Sequence, residues 1–173
     1  MKKNISILIV GGTGFIGYHL AKRAKKYNWK ITSISSKRPP KKRSLSGIKY
    51  LICDIGNKKK LQKKIKNKYF NYVVNLGGYV DHSKFKKTYN SHYLGCKNLA
   101  EIFIKNYPET FLQMGSSGEY GNLKSPQKEN KKCFPLTVYS KAKLSASLYL
   151  LKLFREKNFP ATILRLYQAY GPC

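Results

Sequence analysis

The chain predicts an α/β fold with a doubly wound parallel sheet, and three observations carry that prediction. Short apolar runs alternate with segments of helical periodicity from one end to the other. Several of these runs are apolar almost continuously, as strands covered on both faces must be. The first run, Ile5 to Val10, passes directly into Gly11-Gly12-Thr13-Gly14-Phe15-Ile16-Gly17, which reads as a strand, a tight turn and the opening of a helix. The 173 residues suit a single domain with its own core. Right-handed crossovers then place helices on both sides of six strands ordered 3-2-1-4-5-6, with the glycine turn at the crevice.

Each element has its own warrant. Ile5 to Val10 is a buried strand, and Ile16, Leu20 and Ala24 fall at helical spacing after the glycines. Ile31 to Ser35 is the second strand, followed by a basic loop from Ser36 to Gly47. Ile48 to Cys53 is the third strand, and Leu61 and Ile65 mark the helix after it. Tyr72 to Leu76 is the fourth strand, and Leu99, Ile102 and Phe103 lie on the next helix. Phe111 to Met114 makes the fifth strand, with a long loop from Gly118 to Pro135 beyond it. A last helix from about Thr137 to Arg155 is expected to bury Val138, Ala142, Leu150 and Phe154, and Ala161 to Leu166 closes the sheet.

Composition excludes several classes of protein. Hydrophobic residues make up 42%, which argues for a packed chain over a disordered one. The net charge of +28 comes from 35 basic and 7 acidic residues. That balance attracts polyanions at low salt. The lysines are spread through every helix and loop without a recognition module, so a lysine-rich solvated surface is expected, with no specific nucleic-acid partner. Cys53, Cys96, Cys133 and Cys173 lack the paired spacing of a zinc or dithiol site, so reduced thiols and no metal are expected. Lys2 and Lys3 precede an apolar run too short for a signal peptide, and no stretch reaches membrane-spanning length. A soluble, cytoplasmic protein is the expectation.

The glycine turn and the second half of the chain carry the chemistry. Gly12-x-Gly14-x-x-Gly17 and Gly11-x-x-Gly14-x-x-Gly17 both fit a dinucleotide fingerprint. Glycines let a pyrophosphate approach the backbone, and the N–H groups at the helix start, with the positive dipole end, suit its charge. The strand Phe111 to Met114 ends in Gly115-Ser116-Ser117-Gly118-Glu119-Tyr120-Gly121. Further on, Tyr139 and Lys143 stand four apart on a predicted helix, hence on one face. A free tyrosine is a weak base at neutral pH, and a lysine cation beside it favours the phenolate. Hydroxyls of Ser116 or Ser117 at the strand end can hold a reacting oxygen. A Tyr-x-x-x-Lys pair alone is weak in a chain with 14 tyrosines; its weight comes from following both Ser116 and the glycine fingerprint.

Taken in order, these motifs resemble the extended short-chain dehydrogenase/reductases, specifically the nucleotide-sugar epimerase/dehydratase group, across essentially all of the chain. Gly11 to Gly17 is similar to the family's Gly-x-x-Gly-x-x-Gly, and Asn75-Leu76-Gly77-Gly78 to its Asn-Leu-Ala-Ala. Gly95-Cys96-Lys97-Asn98-Leu99 resembles its Gly-Thr-x-Asn-Leu, and Leu164 to Pro172 its Leu-Arg-x-x-Asn-Val-Tyr-Gly-Pro. The resemblance implies a Rossmann-type domain and hydride transfer between a sugar carbon and a nicotinamide. Tyr139 is then the general acid/base, Lys143 binds the nicotinamide ribose, and Ser116 hydrogen-bonds the sugar oxygen, with Ser117 as the alternative. Asp54 and Ile55 fall where the family contacts adenine. The implied cofactor contacts are Gly11, Gly14, Phe15, Ile16, Gly17, Ser35, Arg38, Asp54, Ile55, Leu76, Gly77, Gly78, Tyr139 and Lys143. Family members are commonly homodimers acting on nucleotide sugars.

The departures sharpen the expectation. The 4,6-dehydratases of the family carry Asp-Glu after the catalytic Thr, where this chain has Ser117-Gly118, so epimerase or 4-ketoreductase is expected. Ser35 stands where an NAD-selecting acid is expected, with Lys37 and Arg38 following, which points to NADP over NAD. His92 and Gln168 each replace a usual Asn. The chain ends at Cys173, before the region that holds the family's substrate domain. Residues 1–173 are therefore expected to be a C-terminally truncated NAD(P)-binding domain, inactive alone. A non-catalytic dinucleotide module and a polyanion-binding protein on the same fold are the alternatives. The intact Ser116, Tyr139 and Lys143 set argues against the first.

Overall fold

A computed structural model describes residues 4–171 apart from Val80 and His82, so Lys2, Lys3, Pro172 and Cys173 of the motifs above lie outside the described residues. Six strands form one sheet: β1 (Ser6–Val10), β2 (Lys30–Ser35), β3 (Lys49–Ile52), β4 (Tyr72–Asn75), β5 (Thr110–Met114) and β6 (Ala161–Leu164). Every pairing is parallel and the order is β3-β2-β1-β4-β5-β6, as the alternation predicts. β1 is central, and Ile7, Leu8, Ile9 and Val10 are all buried because its two faces both meet packed layers. The order reverses between β1 and β4, which opens a crevice at their carboxyl ends.

Two apolar cores flank the sheet. On one side Ile7, Ile9, Ile31 and Val74 pack with Ala21 and Ala24 of α1 (Phe15–Lys26). On the other, Leu8, Val10, Ile34, Val73 and Phe111 meet Leu61 of α2 (Lys58–Ile65), Leu99 of α4 (Gly95–Phe103), and Ala146 and Leu150 of α5 (Val138–Lys157). The alternation of β1 side chains between these cores is the period of two expected for a strand. Helix boundaries follow local chemistry. The Asn57 side chain accepts from Lys60 N–H at the start of α2, and Thr137 and Ser140 form a reciprocal capping box at the start of α5. Asn158, at φ 50°, turns the chain out of α5 in the left-handed conformation.

Three details differ from the sequence reading. The helix carrying Leu99 begins earlier, as α3 (Phe85–Tyr89) runs through a π-helical turn (Asn90–Leu94) into α4 with right-handed helical dihedrals at both joins. Phe154 is 52% exposed and Val138 half-buried; α5 instead buries Ala142, Lys143, Ala146, Ser147, Leu150 and Leu153. Phe154 follows Leu153 directly, and one step of about 100° turns it off the face that meets the sheet. The sixth strand stops at Leu164 instead of Leu166, because Leu166 N–H folds back onto the Leu164 carbonyl at 3.0 Å. Cys53 and Cys96 are buried free thiols and Cys133 is half-buried.

Candidate active site

The glycine turn is shaped by close backbone approach. Gly11 has φ +79°, and a Cβ there would stand 3.0 Å from the Leu76 backbone. A Cβ on Gly17 would lie 2.3 Å from the Gly11 carbonyl oxygen, so only glycine lets α1 pack onto the turn. Gly14 is the exposed N-cap of α1 with no side-chain cap. The N–H groups of Phe15, Ile16 and Gly17 precede the first intrahelical bond, Tyr18 N–H to the Gly14 carbonyl at 2.9 Å. This is a cradle for an anionic group, with the helix dipole aimed at it.

A crevice of about 400 Å³ opens beyond it, lined by Gly11, Thr13, Gly14, Ser35, Ser36, Asp54, Ile55, Leu76, Gly77, Gly78 and Tyr79 among others. Its walls are pinned from below. Asn98 Nδ2 donates to the carbonyls of Ile55 and Gly56 at 2.9 and 3.0 Å, fixing the loop that presents Asp54. Asp54 Oδ1 accepts from Gly56 N–H at 2.8 Å and its carboxylate remains exposed. Buried Asn75 donates to Gln113 Oε1 at 2.7 Å while its own Oδ1 accepts from Gly77 N–H at 3.2 Å. The Thr13 hydroxyl donates to Ser35 Oγ at 3.0 Å, bridging the turn and the end of β2.

A second cluster forms at the carboxyl end of β5. Ser116 caps a short 3-10 turn (Ser117–Glu119): its Oγ accepts from Gly118 N–H at 3.1 Å, and its own N–H donates to Glu119 Oε1 at 2.9 Å. A Cβ on Gly118 would touch Ser140 Cβ at 3.3 Å, so this turn abuts the first turn of α5, where Tyr139 stands. Lys143, one helical turn on, is buried, and its Nζ donates to the Met114 carbonyl at 2.7 Å and lies 5.7 Å from the Tyr139 ring centroid. Burial pushes the Lys143 ammonium down to about 8, against the opposing pull of the Glu119 carboxylate. The Cys96 thiol is pushed up to about 12 by burial, so it is a neutral wall. His92, on the π-helical turn, meets Tyr139 edge to face at 4.9 Å, and its Nε2 lies 3.3 Å from the carbonyl of the crevice residue Tyr79.

The fold therefore brings Gly11, Gly14, Ser35, Asp54, Ile55, Leu76, Gly77 and Gly78 to one crevice. Phe15, Ile16 and Gly17 contribute as the helix start beside it and do not line it. Ser116, Tyr139 and Lys143 form a neighbouring cluster, joined to the crevice through Tyr79 and His92. Arg38 is exposed and outside the lining, and among the described residues none of the lining is cationic. The motifs passed over Thr13 and Tyr79, although each sits beside a glycine of the crevice.

The sequence pattern of the NAD dependent epimerase/dehydratase family matches residues 7–173. The chain belongs to that family. Within it, this chain is 28% identical to the ADP-L-glycero-D-manno-heptose-6-epimerase of Brachyspira hyodysenteriae, over 96% of its own length and 55% of the relative's. The UDP-glucose 4-epimerase of Thermotoga maritima, solved with UDP-glucose, shares the fold at a TM-score of 0.89 and 23% identity, covering 97% of this chain and 57% of that one. The Bordetella bronchiseptica enzyme WbmG, solved with NAD, superposes at a TM-score of 0.88 and 20% identity, over 98% and 55% of the two chains. The chain spans about half the length of the curated relatives it matches.

Proposed function

We propose that the whole protein is a dinucleotide-dependent epimerase or 4-ketoreductase acting on a nucleotide sugar. One observation carries this reading: Tyr139 and Lys143 share the face of α5 that meets the end of β5, beside a glycine-walled crevice. The crevice fits the cofactor chemically. It offers open N–H groups at a helix start, backbone that tolerates no Cβ at Gly11 or Gly17, and the exposed Asp54 carboxylate. A bound nicotinamide dinucleotide supplies the hydride acceptor and donor. The chain's own residues do the rest. Tyr139 takes the proton from the sugar hydroxyl as the carbon is oxidised and returns it on reduction. Lys143, anchored to the Met114 carbonyl, holds positive charge beside the ring, where it offsets negative charge that develops as the proton moves. Ser116, fixed by its own capping turn, steadies the same oxygen as charge develops there.

Elimination chemistry is disfavoured by Glu119. The acid lies one place beyond the dehydratase position and is fully buried, bonded to Ser116 N–H and to Arg165, so it does not reach a substrate. For the cofactor, Ser35 removes the repulsion that an acid would exert on a 2′-phosphate, while the cations Lys37 and Arg38 stand off the lining. This supports acceptance of both NADP and NAD, with affinities within about tenfold of each other.

Calorimetric titration with each dinucleotide tests the cofactor assignment, and a hundredfold preference either way refutes it. In the whole protein, assayed against a panel of nucleotide sugars, Tyr139→Phe is expected to abolish turnover and leave dinucleotide affinity nearly intact. Lys143→Ala is expected to damage both. Turnover by Tyr139→Phe at the parent's rate excludes the acid/base role.

A further inference from the structure

A buried carboxylate sits directly behind the proposed acid/base cluster. Glu119 is fully buried, and it is one of only seven acids in the chain. Its Oε1 accepts from Ser116 N–H at 2.9 Å and its Oε2 from Arg165 Nε at 3.1 Å. Arg165 enters from the end of β6 and lies over the Tyr120 ring, with Cζ 4.6 Å from the centroid. Two backbone bonds run alongside the ion pair, from Gly115 N–H to the Leu164 carbonyl at 2.7 Å and from Ser117 N–H to the Leu166 carbonyl at 2.8 Å. The Ser116 turn is thus stitched to β6 both by main chain and by charge.

The same carboxylate and the lysine both approach the end of β5. Lys143 Nζ hangs on the carbonyl of Met114, and a Cβ on the next residue, Gly115, would stand 2.6 Å from Glu119 Oε1. The other titratable groups around Lys143 are Cys96 on α4 and Tyr139 on its own helix, with His92 packed on Tyr139. Arg165, the further cation, is held on the far oxygen of Glu119. Among these groups Glu119 is the carboxylate.

We propose that Glu119 is a positioning residue of the acid/base centre: braced by Arg165, it fixes the Ser116 turn and supplies the negative charge that keeps Lys143 an ammonium. A buried lysine without such a partner loses its proton near neutral pH, and with it the positive charge beside the reacting oxygen. The inference rests on the reading of Lys143 as the cation of that centre.

The test follows the Lys143 side chain itself. Its 13Cε resonance, identified by its absence in Lys143→Arg, is tracked from mildly acidic to alkaline pH. Glu119→Gln keeps the shape and the acceptor for Ser116 N–H and removes only the charge. It is expected to lower the Lys143 midpoint by about one pH unit, a tenfold loss of proton affinity. Where Glu119→Gln unfolds because Arg165 is left unpartnered, Glu119→Gln/Arg165→Met removes both charges, and its midpoint is expected to fall as well. An unchanged midpoint in either folded variant overturns the proposal, since a purely structural carboxylate does not move it. In the whole protein the alkaline limb of the pH–rate profile moves down by the same amount. A shifted midpoint in a protein without turnover upholds the role of Glu119 and refutes the enzymatic reading, so the two fail separately.

Discussion

Lys143 carries a cost that its neighbours only partly offset. An ammonium taken out of water is stabilised here by one carbonyl at 2.7 Å and by the field of Glu119. Its fall from 10.5 to about 8 corresponds to a penalty on the order of 3 kcal/mol when the group is charged. Below the folded value the lysine is protonated in both states, and the penalty is fully present. Between the folded value and 10.5 the unfolded chain binds the extra proton, so stability rises with pH; above that range the penalty is gone. Lys143→Met is therefore expected to be more stable than the parent at neutral pH. Its advantage shrinks as the pH passes from about 8 toward 10.5. Urea denaturation of both proteins across that range measures it. An advantage that does not change with pH, or a less stable Met variant at neutral pH, contradicts the argument. Groups that cost stability and touch the proposed chemistry are where function overrides packing.

At the scale of elements, the glycine turn and α1 form one unit whose glycines do different work. Gly17 is structural, because its Cβ would meet the Gly11 carbonyl oxygen at 2.3 Å and Gly12 Cα at 2.6 Å. Gly17→Ala is expected to push α1 off the turn and lower the melting temperature clearly. Gly14 differs. Its dihedrals, φ −75° and ψ 176°, suit any residue, and its Cβ would meet only the Gly11 carbonyl oxygen at 3.2 Å. Gly14→Ser supplies the side-chain cap that α1 lacks, so it should match or slightly exceed the parent in stability, by a few tenths of a kcal/mol. The added atoms occupy the approach to the helix start and should weaken dinucleotide binding at least tenfold. Thermal melts and cofactor titration of the two variants separate these roles; a Gly14→Ser protein that binds as the parent does would place the pyrophosphate elsewhere.

For the molecule as a whole, charge is the dominant unbalanced quantity. Seven acids face 35 bases, and one of them, Glu101, is shared by Lys58 and Lys97. Surface ion pairs of this kind contribute little each, and most of the remaining cations repel one another. Screening shortens that repulsion to about 10 Å at 0.1 M salt. The melting temperature is therefore expected to rise with sodium chloride and level off, and association with a generic polyanion is expected to vanish over the same range. A melting temperature independent of salt contradicts a fold strained by its own charge. Among the described residues no helix is long and apolar enough to cross a membrane. β6 lies at one edge of the described sheet, with β3 at the other, and Leu164 on it is exposed.

What the sequence determined by itself was what short-range physics writes into neighbouring residues. Short, nearly continuous apolar runs marked six strands, the period of 3.6 marked α1, α2, α4 and α5, and the glycines marked the turn, since each of these patterns acts within one element. Tyr139 and Lys143 could be placed together because four residues make one helical turn. The tertiary structure alone decided which groups from distant elements meet. Glu119 and Arg165 are 46 residues apart, Lys143 and the Met114 carbonyl 29, and Asn98 and the Ile55 carbonyl 43. Those contacts depend on the register of β5 against β6 and on how α4 and α5 pack on the sheet, quantities set by the sum of many weak burial terms. Arg38 shows the same limit from the other side: it is three residues from Ser35 along the chain, yet the turn after β2 carries it off the crevice wall. Spacing in the chain names the candidates, and packing at long range decides which of them share a site.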